Sequence, residues 1–404
     1  AMAPDALVGS QRLEQVQRAL QQAGMAGLVC RLPENVFFLT GYWPLSSFAF
    51  AVVPAAGEPA LLLVRTEQPY AEKARVQDIR TFGWGTLADG DPYAQVEALL
   101  GGLAQEHGLR HGTLAIELGF EQVAAGHNWA EPLLPAAPTR QLLGRVFSGC
   151  TFVDAAPLLH ELRAIKSAED IEGLRVANEV AQLGLAAFVE HFQPGRTEAE
   201  VAAAVEHAIY AQGTGYRPAG GGAPVRRVRA WAQLMTGPAS AFAYTPFPAS
   251  SDRRIRAGDL GVLELGTVVD GYWSDLTRTR VAGVPDERQR AIHHAVLEAQ
   301  RAALQAMRPG VPGKAVDAAA RTVLERAGFG SAFVHHTGHG IGFRYHEPVP
   351  LLAPAGELLL AAGMATSLEP GVYLEGWGGL RIEDNVVVTP TGAETLSTFD
   401  RNLS

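Results

Sequence analysis

The run DLGVLELGTVVDGYWSDLTRTRVAG, residues 259–283, constrains this chain more than any other segment. Strand-forming residues flank Asp270-Gly271 on both sides, and an Asp-Gly pair between such runs is the strongest short signal for a two-residue hairpin. With those two residues as the loop, Glu264 falls opposite Thr277 and diagonal to Asp275, so Glu264 and Asp275 share one face. Diagonal neighbours of an antiparallel pair are ~7–8 Å apart at the backbone, close enough for two carboxylates to converge on one ion. The hairpin alone leaves two readings open, solvent-facing strand residues or carboxylates that ligate a metal. The apolar context VLELG weighs against the first, because an unpaired buried carboxylate is costly.

Downstream, HHTGHGIGFRYHEP places His335, His336, His339 and His346 in one glycine-punctuated segment. Imidazole is the usual ligand for Zn, Mn, Fe or Co, and such density favours at least one ligand or acid–base group among the four. ATSLEPGVYLEGWGGLRIEDNVVVT then supplies Glu369 before a Pro-Gly turn and Glu383 on an expected strand, with Arg381 two residues earlier on the same face. Two hairpin acids, a histidine and two further acids make an N/O site for one or two divalent ions. Arg344 shares strand parity with His346 and is a candidate clamp for a substrate carboxylate, weighed against the more common exposed, salt-bridging arginine.

The 404 residues of the chain are organised as two domains. Up to about residue 158, helical and β-rich runs alternate: a helix over 10–22, the strand AGLVC, then NVFFLTGYW, SFAFAVVP and PALLLVR as three β-rich runs, and later ALLGGLA and GTLAIEL as a further helix and strand. From Leu158 to His191 a long helical pattern follows, with Ser167-Ala-Glu-Asp as a capping box. The division is therefore expected at 1–158 and 159–404. TEAEVAAAVEHAIYAQG reads as another helix ended by Gly213, and the Gly/Pro/Ser-rich stretch after it as a long functional loop with a solvated basic cluster at Arg226, Arg227 and Arg229. Net charge is −9 and the isoelectric point about 5.8, which speaks against non-specific nucleic-acid or anionic-membrane binding. No stretch is long and apolar enough for a membrane span, no secretory leader is evident, and Cys30 and Cys150 cannot build a disulfide framework. A cytoplasmic protein is expected.

These blocks resemble the pita-bread metallopeptidases, the family of methionine aminopeptidase, aminopeptidase P, prolidase and the non-peptidase creatinase. GYWSDLTRT, HHTGHGIGFRYHEP, LEPGVY and LRIED are similar to its signature blocks in the same order, RLEQVQRALQQAGMAGLVCRLPENVFFLTGYW to the creatinase/prolidase-type N-terminal domain, and ELRAIKSAEDIEGLR to its linker helix. The resemblance implies an α/β two-domain chain, an N-terminal creatinase-like α/β domain followed by a pita-bread (α+β) catalytic domain. It implies a metal-dependent exopeptidase acting on short peptides, of Xaa-Pro dipeptidase or aminopeptidase type, using one or two divalent ions (Mn, Zn, Co or Fe) and assembling as a homodimer. The alternatives are a single-metal peptidase of altered specificity, such as a carboxypeptidase, and a creatinase-like hydrolase of a non-peptide C–N bond.

Carried over by position, the metal ligands are Glu264, Asp275, His339, Glu369 and Glu383. Asp275 and Glu383 would bridge two ions, His339 and Glu369 would complete one shell, and Glu264 would serve the other. Glu369 is the candidate general base, His335 and His346 contact substrate and steady the oxyanion, and Arg381 supports the bridging carboxylate. Two departures stand out. The family carries Asp at the position of Glu264, and it carries a histidine ahead of the hairpin where this chain has Ala243 followed by Tyr244.

Overall fold

The computed structural model describes residues 4–46, 48–84, 86, 88–118, 137–245 and 249–404, with side chains from residue 11 onward. Among these residues the contacts divide into two units, the first running to Arg163 and the second from Ala164 to Ser404.

The first unit comprises α1 Pro4–Gln22, β1 Gly27–Cys30, α2 Pro33–Thr40, β2 Phe50–Pro54, β3 Ala60–Val64, β4 Asp78–Phe82, α3 Pro92–Glu106, β5 Gly112–Ile116, α4 Ala137–Val146, β6 Cys150–Asp154 and most of α5 Ala156–Ala164. Its six strands form one mixed sheet in the order β4-β3-β2-β1-β5-β6, with β2 antiparallel to both neighbours and the other pairs parallel. Val29, Phe50, Val52, Leu62 and Phe82 of the strands pack with Val96, Leu100 and Leu103 of α3, the pattern of a sheet covered on its faces by helices. NVFFLT, expected as a strand, is helical. Pro33 presets the first turn, and Gly41 at φ 73° closes the helix by donating its N–H to the Phe37 carbonyl. A short apolar run buried on all sides carries no periodicity that separates helix from strand.

The second unit begins with α6 Ala168–His191 and α7 Glu198–Gly213, each opened by a full capping box, Ser167 with Asp170 and Thr197 with Glu200. The helical pattern read from Leu158 is thus two helices, broken at Ile165-Lys166-Ser167. The Gly/Pro/Ser-rich stretch expected as a long loop contains β7 Val228–Thr236, which pairs antiparallel with β8 Leu260–Val269 along its whole length. β8 turns into β9 Tyr272–Val281, completing a three-stranded sheet with α6 against β8 and β9. After α8 Glu287–Ala306 and α9 Gly313–Arg326 come β10 Gly338–Gly340, β11 Glu347–Leu352, β12 Ala365–Leu368, β13 Gly371–Leu374, β14 Gly378–Arg381, β15 Asp384–Val388 and β16 Ala393–Thr395. They form a five-stranded sheet, β11-β10-β12-β15-β16, and a separate pair, β13-β14. Ile292, Val296 and Ala299 of α8 and Val316, Ala320 and Leu324 of α9 share a core with Leu352, Leu368, Leu380 and Val386. Lys166 and Glu347 form a fully buried ion pair, and Glu347 also accepts from the Phe343 N–H at 2.9 Å. No helix among the described residues is long and apolar enough to cross a membrane.

Candidate active site

The hairpin turns at Asp270 and Gly271, both at positive φ (49° and 104°), as a two-residue loop of primed type requires. Glu264 pairs with Thr277 and Gly266 with Asp275, so the expected diagonal of Glu264 and Asp275 is present. Every residue of β9 is buried, and Asp275 is held at its backbone by Asn385, which accepts from the Asp275 N–H at 3.0 Å and donates to its carbonyl at 2.9 Å.

Three further segments bring donors to that face. On β10, His339 lies with Nδ1 2.9 Å from its neighbour's carbonyl, Gly340 O; donating there leaves the Nε2 lone pair pointing at Asp275 Oδ2, 3.3 Å away, and Glu369 Oε1, 3.5 Å away. Glu369 follows β12 and accepts from Ser367 Oγ at 3.0 Å, with His336 Nε2 at 3.4 Å and His335 Nδ1 at 3.9 Å. Glu383 sits in the break where the chain leaves β14 for β15, rather than on a strand as expected, because the backbone there passes from one sheet to another. Its Oε2 is 2.7 Å from Thr277 Oγ1, and its Oε1 is buried without a hydrogen-bond partner among the described residues.

Such crowding of carboxylates carries an electrostatic signature. Burial, with the Glu369 charge behind it, pushes Glu383 up to about 8. Burial and the Glu383 and Glu369 charges hold Asp275 well above the usual carboxylate range. Burial also pulls Glu369 upward, but the imidazoles of His336, His339 and His335 outweigh it and hold Glu369 below its ordinary value. His346 and His335 are both pushed down, first of all by burial. Acids that resist ionisation, beside a histidine with a lone pair aimed at them and an orphaned carboxylate oxygen, are a donor set short of a cation. Ligand atoms of Asp275, His339 and His346, of His336, His339 and Glu369, and of Glu264, Asp275 and Glu383 lie within 4.8 Å of one another in each group, so the residues present fit a divalent ion.

Arg381 is the hub beside them. Its Nε donates to Thr277 Oγ1 at 2.9 Å, one terminal nitrogen reaches Ala243 O (3.1 Å) and Tyr373 Oη (3.2 Å), and the other donates to Glu264 Oε2. His335 Nε2 lies 3.0 Å from the same Tyr373 hydroxyl. Ala243 is buried, while the ring of the exposed Tyr244 meets that of Tyr373 edge-on at 5.3 Å; a phenol, not an imidazole, lies beside this wall. His346 stacks perpendicular to His339 at 4.2 Å between ring centres. Arg344 is only 2% exposed, which corrects the expectation of a surface arginine. The sequence singled out His336 only as one of four clustered histidines, and Tyr345, Thr277, Ser367 and Asn385 were passed over as site residues. Thr277 was identifiable as the partner of Glu264; Tyr345 had no signal beyond its place between Arg344 and His346.

Residues 172–390 match the description "Metallopeptidase family M24" and residues 12–165 match "Creatinase/Prolidase N-terminal domain". The probable dipeptidase PepE of Mycobacterium tuberculosis is 36% identical over 405 aligned residues, covering 99% of this chain and 97% of that protein. The Xaa-Pro dipeptidase of Pyrococcus furiosus is 39% identical over 246 residues, 61% of this chain and 66% of that protein. Among solved structures, dipeptidase PepE from Mycobacterium ulcerans superposes with a TM-score of 0.73 at 34% identity, covering 99% and 98% of the two chains. The chain therefore belongs to metallopeptidase family M24, with a creatinase/prolidase-type N-terminal domain ahead of the pita-bread peptidase domain.

Proposed function

We propose that this chain is an exopeptidase that hydrolyses dipeptides and other short peptides, of the Xaa-Pro dipeptidase kind, and that its metal is held by residues among Glu264, Asp275, His339, Glu369 and Glu383. The observation that carries the reading is the convergence of Asp275, His339 and Glu369 beside the unpartnered Glu383 Oε1. The names of the relatives, dipeptidase and Xaa-Pro dipeptidase, support the substrate class. A divalent ion in such a site supplies an acidified water and a polarised carbonyl. Glu369, held ionised by its imidazole neighbours and oriented by Ser367, accepts the water's proton and hands it to the leaving nitrogen. His346, kept neutral by burial, and His335, steadied by Tyr373, donate to the developing oxyanion. Arg381 orients Thr277 and, through it, Glu383. The domain limits are taken at 1–158 and 159–404, and the family resemblance supports a cytoplasmic homodimer, which sedimentation of the purified chain checks.

Ala243 favours a second reading. Without an imidazole at that position the leaving side of the bond meets Tyr244 instead, which fits a peptidase of altered specificity or polarity. Hydrolysis of a panel of Xaa-Pro, non-proline and C-terminally blocked short peptides, before and after chelation, tests both. Chelator-sensitive Xaa-Pro cleavage supports the first; cleavage confined to other bonds supports the second. Chelator-insensitive hydrolysis, or none, overturns both.

A further inference from the structure

The two hairpin-side glutamates differ sharply in how far their oxygens are satisfied. Glu383 keeps an orphaned oxygen, whereas both oxygens of Glu264 are engaged: Oε1 accepts from the Tyr345 hydroxyl, and Oε2 accepts from Arg381 and lies 2.8 Å from Thr277 Oγ1. The same Tyr345 hydroxyl is 2.9 Å from Asp275 Oδ1. Tyr345 Oη therefore stands between the two carboxylates that would chelate an ion on the Glu264 side, and a guanidinium completes the charge balance there.

The phenol is fixed in that place. Its ring is fully buried, edge-on to Trp231 (5.5 Å between ring centres) and Trp273 (5.7 Å), with His346 at 4.5 Å. It lies against the bare backbone of Gly266, where a Cβ would come 2.8 Å from its Cε2. A close-packed aromatic with a satisfied hydroxyl does not vacate its site without opening a cavity. On the other side of Asp275, its second oxygen faces the His339 lone pair, with Glu369 alongside.

We infer that Tyr345 and Arg381 replace one metal position of the centre with a hydrogen-bonded protein cluster, so that the chain binds a single divalent ion through Asp275, His339, Glu369 and Glu383, with Glu264 as a structural acceptor and not a ligand. The inference rests on the metallopeptidase reading of this site and is tested apart from activity.

The full-length protein is stripped of metal and titrated with Mn²⁺ by calorimetry, and the loaded sample is examined by electron paramagnetic resonance. One equivalent and an uncoupled six-line spectrum are expected. Two tight equivalents, or an exchange-coupled pair, overturn the inference; no Mn²⁺ binding overturns the metal reading itself, a distinguishable failure. Glu264→Gln, nearly isosteric, is expected to hold Mn²⁺ within about tenfold of the parent, while Glu383→Gln loses about 100-fold or more, beyond the 10- to 100-fold effect of residues outside the ligand shell. Equal losses in the two variants would restore Glu264 as a ligand. The double variant Tyr345→Val with Glu264→Asp, which empties the position, is expected to take up a second equivalent; a folded double variant that still binds one refutes the role given to Tyr345.

Discussion

Thr277 stands directly opposite Glu264 in the β8–β9 ladder, and its hydroxyl lies 2.8 Å from that carboxylate and 2.7 Å from Glu383. It also accepts from Arg381 Nε at 2.9 Å. A single buried hydroxyl thus links two acids and an arginine. Thr277→Val keeps the shape and deletes the link, leaving an Arg381 donor unpaired. A loss of about 1–3 kcal/mol in unfolding free energy is expected, read by urea denaturation as a lower midpoint at unchanged slope.

Ser367 would act on the proposed metal site through Glu369. Its hydroxyl donates to Glu369 Oε1 at 3.0 Å and accepts from the His339 N–H at 3.0 Å, so one side chain sets two of the proposed ligands. Ser367→Ala is expected to weaken metal affinity by about 10- to 100-fold, measured by competition with a chelator of known affinity, while the far-ultraviolet dichroism stays unchanged.

The raised carboxyls give the metal-free protein a characteristic pH response. Glu383 protonates near 8 in the fold and in the ordinary carboxylate range when unfolded, and Asp275 shifts in the same direction. Between those limits these two carboxyls bind more protons in the native state than in the unfolded state, so their contribution to stability falls as pH rises from about 4.5 to about 8, while His335 and His346, held down by burial, act in the opposite sense up to their ordinary range. Thermal midpoints of the metal-free protein should therefore decline with pH relative to those of Glu383→Gln over the upper part of that window, where the imidazoles are already neutral. Added metal takes the place of the proton, so its apparent affinity rises over the same range and the decline flattens. A difference between the parent and Glu383→Gln that does not change with pH would contradict the assignment.

Lys166 and Glu347 are 181 positions apart, with side chains 0% and 2% exposed. Lys166→Met removes the cation and leaves a buried carboxylate whose remaining contact is the Phe343 N–H. A buried pair broken on one side typically costs about 3–5 kcal/mol. Chemical denaturation of Lys166→Met and of the double variant Lys166→Met with Glu347→Leu separates the two terms: the double variant should recover much of the loss.

The hairpin was legible in full because a two-residue Asp-Gly loop dictates its own register, and register fixes which side chains share a face. The capping box of α6 was legible for the same local reason; α7 was legible as a helix, while its own box, Thr197 with Glu200, was found only in the structure. What escaped the sequence is non-local. NVFFLT became α2 because Pro33 and Gly41 bracket a segment whose apolar residues face neighbours on all sides. The loop containing Val228–Thr236 became a strand because β8 offered it a ladder, a partnership no window of β7 alone contains. Tyr345 was invisible as a site residue because its importance lies in the pocket of Trp231, Trp273 and Gly266 that receives it.

Glu383 lies in the crossing between two sheets, and Thr277, its hydrogen-bond partner, is 106 positions earlier in the chain. Of the site's donors, an unfolded chain holds His335, His336 and His339 close together, while Glu264, Asp275, Glu369 and Glu383 are scattered until the sheets have met. Closing loops of that length precedes any reward from the contacts they bring. An ion held by the proposed ligands would therefore not nucleate this fold; it would be loaded onto a finished domain as a late clasp, stabilising the native state to a degree set by how much free metal the surroundings supply.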